Sequence, residues 1–228
     1  EMSYFENTIR EHLNQTAPRR MGVIDPIKLV IENYPEGKTE ELDATNNPTD
    51  AHAGMRKIPF SRELWVERDD YMDDAPKKFR RLTIGREVRL RFAYYVICTN
   101  VIKDPDGNVT ELRCTYDPES RGGDTPDGRK VRGTIHWVSA ANAKTAEIRL
   151  YDHLFTTEEP GKERDWIEDL NPNSLNVCET CYVEPTLVNA QGVVQFERLG
   201  YFFPDADSAP NALVFNRTVS LRDSKSKD

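Results

Sequence analysis

The sequence predicts a mainly β protein, all-β apart from one short N-terminal helix and arranged as two small β-barrels. Three observations carry that expectation. Apolar residues recur at period two in many short segments. The breaks between them are rich in Asn, Asp and the 14 Pro and 12 Gly of the 228-residue chain. Helical spacing is sustained only at the start. Short strands separated by long irregular loops suit barrels or a sandwich, and we favour two barrels over one sheet.

Taken in order, Ser3-Tyr-Phe-Glu6 has the spacing of a capping box, and Phe5, Ile9 and Leu13 follow at four-residue intervals. This predicts about three helical turns stopping before Pro18. Ile27, Leu29 and Ile31 alternate with Lys28 and Glu32, a strand that starts or bulges at Pro26. Residues 35–57 are polar and aperiodic, so they read as one long loop. Ile58-Pro-Phe60 and Glu63-Leu-Trp-Val66 form another strand, and Arg68 to Asp74 an acidic surface segment.

Lys77 to Arg91 then inverts the charge of the chain, with seven basic residues against Glu87 alone in a protein of formal net charge -8. From Val88 the alternation is strict: Val88, Leu90, Phe92, Tyr94, Val96 and Cys98 on one parity, Arg89, Arg91, Tyr95 and Thr99 on the other. One strand results, with Arg89 and Arg91 side by side on its outer face, about 7 Å apart. The plainer reading is an edge strand kept soluble by cations. Asp104-Pro-Asp-Gly-Asn108 signals a turn, and Leu112, Cys114 and Tyr116 alternate on the returning strand. Loop 117–128 leads to a strand over 129–139 and another at 148–152. A short helix is expected from Glu163 to Leu170, then strands over 193–203 and 213–221. The polar tail frays.

Composition narrows the function. Overall acidity argues against nonspecific polyanion binding but leaves room for a focused basic groove. No apolar run approaches the roughly 20 residues needed to cross a bilayer, and Glu1 to Phe5 has no signal-peptide character, so a cytoplasmic location is expected. Cys98, Cys114, Cys178 and Cys181 then read as free thiols. Cys178-Glu-Thr-Cys181 has the spacing of half a zinc site without a second half, so no metal is expected. Asn14, Asn108 and Asn216 fit the glycosylation pattern, which carries no weight without a secretory signal. No phosphate loop, nucleophile elbow or His-Glu-x-x-His pair is present. His136 beside Trp137 reads as a packing histidine, and Asp69-Asp70 and Asp73-Asp74 as a solvated acidic face. What remains suits unpaired RNA: Arg19, Arg81, Arg89 and Arg91 offer forked donors, with Phe92, Tyr94 and Gln195 beside them if the fold gathers them. Alternation, however, turns Phe92 and Tyr94 inward.

Six blocks carry a resemblance. Ala17-Pro-Arg-Arg-Met-Gly-Val-Ile-Asp-Pro-Ile-Lys-Leu-Val-Ile-Glu-Asn-Tyr34 resembles the opening of the anticodon-binding region of the glutaminyl-tRNA synthetases, class I enzymes of the Glu/Gln subfamily. Arg81 to Arg91, Gly128 to Ala140, Glu147 to Asp152, Gln195 to Phe202 and Phe215 to Asp223 extend it nearly end to end and in the right order. The glutamyl enzymes are the nearest confusable family. A noncatalytic β-barrel module that docks RNA or protein is the alternative from another class.

The resemblance implies two barrels gripping a splayed anticodon. It casts Arg89 as reader of the first anticodon base, Arg19 and Gln195 as readers of the middle uridine, and Arg81 as reader of the third base. Arg80 stands where the family often has Lys and would contact backbone phosphate. Asn14 and Thr49 would lie near the anticodon, Thr49 in place of a more usual Asn, and Arg91 and Arg198 complete the candidate set. Cys178 and Cys181 depart from the family pattern. Residues 1–16 would be the end of a helical connector, 17–134 the first barrel, 135–223 the second, which the strand near 19–32 would complete, and 224–228 a tail. Neither nucleotide-binding signature of the family, HIGH-type or KMSKS-type, occurs. The chain is therefore expected to bind the glutamine tRNA anticodon stem-loop, not DNA, as a monomer and without a cofactor. The parent would use ATP and Mg2+ through a catalytic domain on the same polypeptide, and this part alone would be inactive.

Overall fold

The computed structural model describes residues 2–221; the expected tail at 224–228 lies outside the described residues. The chain opens with helix α1, Met2–Thr16. Ser3 sits inside it, so the expected capping box does not cap. Only the C-terminal half of the apolar stripe is covered: Leu13, with Ile9 and Ala17, packs on Val193, Tyr201, Val219 and Leu221, while Phe5 is 62% exposed.

Among the described residues sixteen strands follow in three sheets, two of them barrel-like and seven-stranded. The first of these runs in the order β10 (Thr134–Ile135), β7 (Glu87–Leu90), β8 (Tyr95–Lys103), β9 (Val109–Asp117), β3 (Pro26–Ile31), β6 (Glu63–Glu67), β11 (Val138–Ser139). A two-stranded sheet, β4 (Thr39–Thr45) with β5 (Met55–Ser61), carries Leu42, Ala44, Ile58 and Phe60 into the same core. Phe60 there meets Tyr34 and Trp137 edge to face, at 5.2 and 5.1 Å, a favoured aromatic geometry. The second seven-stranded sheet runs β1 (Arg19–Arg20), β14 (Val194–Phe196), β15 (Gly200–Pro204), β16 (Leu213–Ser220), β12 (Lys144–Tyr151), β13 (Leu175–Val183), β2 (Gly22–Val23). Phe196 stacks on Phe202 within its core.

The predicted all-β architecture is therefore present, but several segments differ from expectation. The loop expected over 35–57 contains β4 and the start of β5, because Leu42 and Ala44 face Ile58 and Arg56 across an antiparallel ladder. The single strand expected from Val88 is two. β7 ends at Leu90, a tight turn takes Phe92 to φ 63, and β8 returns with Arg89 opposite Tyr95. Arg91 consequently lies in the turn, so it does not share a strand face with Arg89. The expected strand over 129–139 is broken into β10 and β11, the strand over 193–203 is the hairpin β14–β15, and the helix expected at 163–170 is one 3-10 turn, Trp166–Asp169.

Two contacts lock the sheets together. Trp65 of β6 stacks on Tyr182 of β13 at 4.5 Å with rings nearly parallel. Glu184, just past β13 and 2% exposed, receives Arg56 Nε at 2.6 Å and Nη2 at 2.8 Å, and the backbone N–H of Met21 at 2.9 Å. A buried carboxylate held by a forked guanidinium and a main-chain donor has its charge compensated. No helix among the described residues is long and apolar enough to cross a membrane.

Candidate nucleic-acid interface

The end of α1 leaves carbonyls without helical partners, and Arg19 meets them. Its guanidinium donates to the carbonyl of Ala17 at 2.7 Å, and to the carbonyl and Oδ1 of Asn14 at 2.8 and 2.7 Å. A cation there also complements the helix dipole. Asn47 donates to the carbonyl of Gln15 at 2.7 Å, and the Thr49 hydroxyl to Asn14 at 3.2 Å and Asn47 at 2.8 Å. Burial pulls the Arg19 pKa down, opposed by Tyr201 and Glu197. Strand β1 lies parallel to β14 with Arg19 opposite Gln195. Arg91 binds Glu197 at 2.8 Å and lies over the Phe92 ring at 5.0 Å. The helix end thus gathers Asn14, Arg19, Thr49 and Gln195, with Arg91 reached through Glu197.

A second group forms on Asp70, a fully buried carboxylate. Arg198, at φ 70 on the β14–β15 turn, clasps both its oxygens at 2.6 and 2.7 Å. Arg81 reaches the same carboxylate at 3.5 Å while lying over Phe79 at 4.7 Å. The acidic-face expectation is thus corrected at Asp70, whose charge is spent on two arginines. His136 is fully buried as expected, but it is more than packing: Nδ1 lies 3.2 Å from Arg198, and Nε2 3.4 Å from Glu67. Glu67 itself accepts from the N–H groups of Ile24 and Asp25 at 2.8 and 3.1 Å.

Arg89 is half-buried and donates to the Gly122 carbonyl at 2.6 Å, and its Nε is buried without a partner among the described residues. Gly123, at φ +96, leaves room for it: a Cβ there would fall 2.1 Å from Cζ of Arg89. The N–H of Arg89 bonds the Gly133 carbonyl at 2.7 Å, and Gly133 abuts the Arg80 carbonyl. Arg80 and Arg89 therefore flank one glycine, and the Arg80 side chain is exposed.

Tyr94 is turned inward, its hydroxyl donating to Glu40 at 2.8 Å. Sequence reasoning passed over Asn47, Glu184 and Glu197 and set Asp70 on the surface, yet all four are buried polar residues. An acid two residues from an expected reader, as Glu197 is from Gln195, was the available signal. All four cysteines are free, and among the described residues no group of three or more His, Cys, Asp or Glu side chains is placed to hold a metal ion. A cavity of about 250 Å3 lined by Leu187, Phe203 and Asp205 includes none of the candidate residues.

This arrangement, barrel-like sheets joined by a basic seam of arginines on shared carboxylates, is that of a two-barrel anticodon-binding region. Residues 17–117 and 134–205 match the family "tRNA synthetases class I (E and Q), anti-codon binding domain", and the chain belongs to that family. It is 55% identical, over its whole length, to the glutamine–tRNA ligase of Nitrobacter winogradskyi, and 52% identical over its whole length to that of Vibrio vulnificus. With the glutamine–tRNA ligase of Rhodopirellula baltica it shares 53% identity over 97% of its length. The chain spans 41% of the length of the Nitrobacter and Vibrio relatives.

Proposed function

We propose that the chain is the part of a glutamine–tRNA ligase that grips the anticodon of glutamine tRNA, while a catalytic domain on the same polypeptide attaches glutamine using ATP and Mg2+. The pairing of Arg19 with Gln195 across β1 and β14 is the observation that carries it. Two residues 176 positions apart in the chain, each with several hydrogen-bonding groups, are set side by side at the β1 edge of the second seven-stranded sheet. Arg19 and Gln195 then address the middle base, Arg81 the third and Arg89 the first. Arg80, Arg91, Arg198, Asn14 and Thr49 support the backbone or the readers. Unstacked anticodon bases expose their hydrogen-bonding edges to such donors.

Helix α1 serves as the end of the connector toward the catalytic domain. The barrels divide near residue 134, with two exchanges supported by the pairing: β10 and β11 side with the first sheet, β1 and β2 with the second. The protein works as a cytoplasmic monomer. Titration with a glutamine tRNA anticodon stem-loop, and with one whose middle uridine is replaced, tests the reading. A preference worth about 1 to 3 kcal/mol for the native loop is expected by analogy with direct base readout; equal affinities overturn it.

A further inference from the structure

Most arginines of this protein are engaged. Arg56, Arg62, Arg68, Arg81, Arg91, Arg113, Arg121, Arg129, Arg149, Arg164 and Arg198 all pair with carboxylates. A small set of cations differs. Lys77, Lys78, Arg80, Lys130 and Arg132 are exposed, and no ion pair or side-chain hydrogen bond is found for any of them among the described residues. They come from two segments about fifty residues apart that the fold presses together. Gly133 packs so tightly on the Arg80 carbonyl that a Cβ would sit 1.8 Å from it, and this holds Arg132 beside Arg80. Phe79, 8% exposed, anchors the first segment. The nearest acids have cationic partners of their own: Glu87, Asp117 and Asp127 share Arg129, and Asp73 pairs with Lys103.

Cations without carboxylate partners on two segments that meet where Gly133 abuts the Arg80 carbonyl offer an anion a local positive field in an acidic protein. The array is strung along two loops instead of closing on a cavity, which suits a polymer of spaced charges better than a single small anion. We propose that Lys130 and Arg132, together with Lys77, Lys78 and Arg80, form a track for the phosphodiester backbone of the tRNA anticodon arm. The track binds whatever the base sequence and lies on the Gly133 side of Arg89. It rests on the reading of the chain as an anticodon binder and adds to it the surface that supplies sequence-independent affinity. The chemistry is counterion release, in which each phosphate neutralised by a cation frees condensed salt.

The test is the salt dependence of binding, measured with the chain and with a Lys130→Ala/Arg132→Ala variant on the native and the middle-base-replaced stem-loops. Losing two contacts should flatten the plot of log affinity against log salt by about 1.4 to 1.8 and weaken binding about tenfold or more at ~0.1 M salt. Both loops should lose by the same factor. A Lys57→Ala/Lys162→Ala variant removes the same charge where each lysine already pairs with an acid, and should leave the slope unchanged. An unchanged slope in the first variant, or an equal change in the second, overturns the track. If the unaltered chain treats both loops alike yet the first variant flattens the slope, base reading falls and the track stands. If the chain discriminates but the slope does not move, the track falls alone.

Discussion

Arg19 stands opposite Gln195 in the parallel pair of β1 and β14, and both are buried, at 3% and 7% exposure. The two differ in what else they do. Arg19 holds the end of α1, whereas the backbone N–H of Gln195 ties to the Pro18 carbonyl at 2.9 Å and its side chain makes no hydrogen bond among the described residues. Gln195→Ala should therefore cut middle-base discrimination in stem-loop titrations with little loss of stability. Arg19→Ala should cut it too while lowering unfolding stability by at least about 3 kcal/mol, since three hydrogen bonds from the guanidinium are lost and bonds to a charged group are each worth about 1.5 to 3 kcal/mol. A thermal melt of both variants separates the roles.

Asp70 serves Arg198 with both oxygens and Arg81 with one. Asp70→Asn leaves Arg198 without its counter-charge and should cost about 3 kcal/mol in a urea titration, near the lower end for broken buried pairs. Arg81→Ala, at 3.5 Å from Asp70 with a side chain 38% exposed, should cost under about 1 kcal/mol and register mainly as lost third-base preference.

Gly133 admits no side chain against the Arg80 carbonyl. Gly133→Ala should destabilise by about 1 to 3 kcal/mol, the usual cost of overpacking. It should also weaken every stem-loop by one factor, because the cationic segments are pushed apart. Denaturant midpoints and binding isotherms read the two effects.

Glu40 accepts the hydroxyls of Tyr34 and Tyr94 at 2.8 Å each. Burial works to raise its pKa, but those two bonds, with Lys38 and Arg121, prevail and hold it below the ordinary glutamate value. Because the folded carboxyl is harder to protonate than the unfolded one, its stabilisation is full above the unfolded pKa. That stabilisation is lost as the pH falls through the folded value. A Tyr34→Phe/Tyr94→Phe variant should lose about 3 kcal/mol near neutral pH, and a smaller amount at acid pH. Urea midpoints at the two pH values report the difference.

Burial pushes the Cys181 thiol up to about 12, and Cys98 and Cys114 are fully buried, while Cys178 is partly exposed. A thiol reagent should therefore label Cys178 alone in the native protein and all four cysteines in denaturant, with mass spectrometry giving the count. The thiolate is the reacting species, so labelling of Cys178, itself raised chiefly by burial, should be slower than that of a free thiol.

The architecture was legible where pattern and pleat coincide, as in β3 and in the hairpin of β8 and β9 at Asp104 to Asn108. It was obscured where few residues carry the signal. β4 shows only Leu42 and Ala44 among acids, and in β13 the period-two signal is interrupted by Glu179 and Thr180 near the bulge where Cys181 pairs with Ala146 but Cys178 with Ile148. The parity from Val88 to Cys98 ran unbroken because the Phe92 turn keeps the two strands in phase, hiding a reversal inside an apparent strand. At the interface, single candidates such as Arg19 and Gln195 were visible through resemblance. Their carboxylate partners were not, because Asp70 and Glu197 read as ordinary surface acids until the fold buries them.

The outermost strands of the second seven-stranded sheet are β1 and β2, made of residues 19–23, while the five between them come from residues 144–220. On a ribosome the borders of that sheet emerge long before its interior. They must wait, unpaired, through the synthesis of the entire first sheet. A polypeptide cut between the two halves would carry bare sheet edges on one piece and two orphaned strands on the other. The two barrels are thus sewn together by the order in which the chain is made, and neither half can be lent to another protein without taking a stitch from its neighbour.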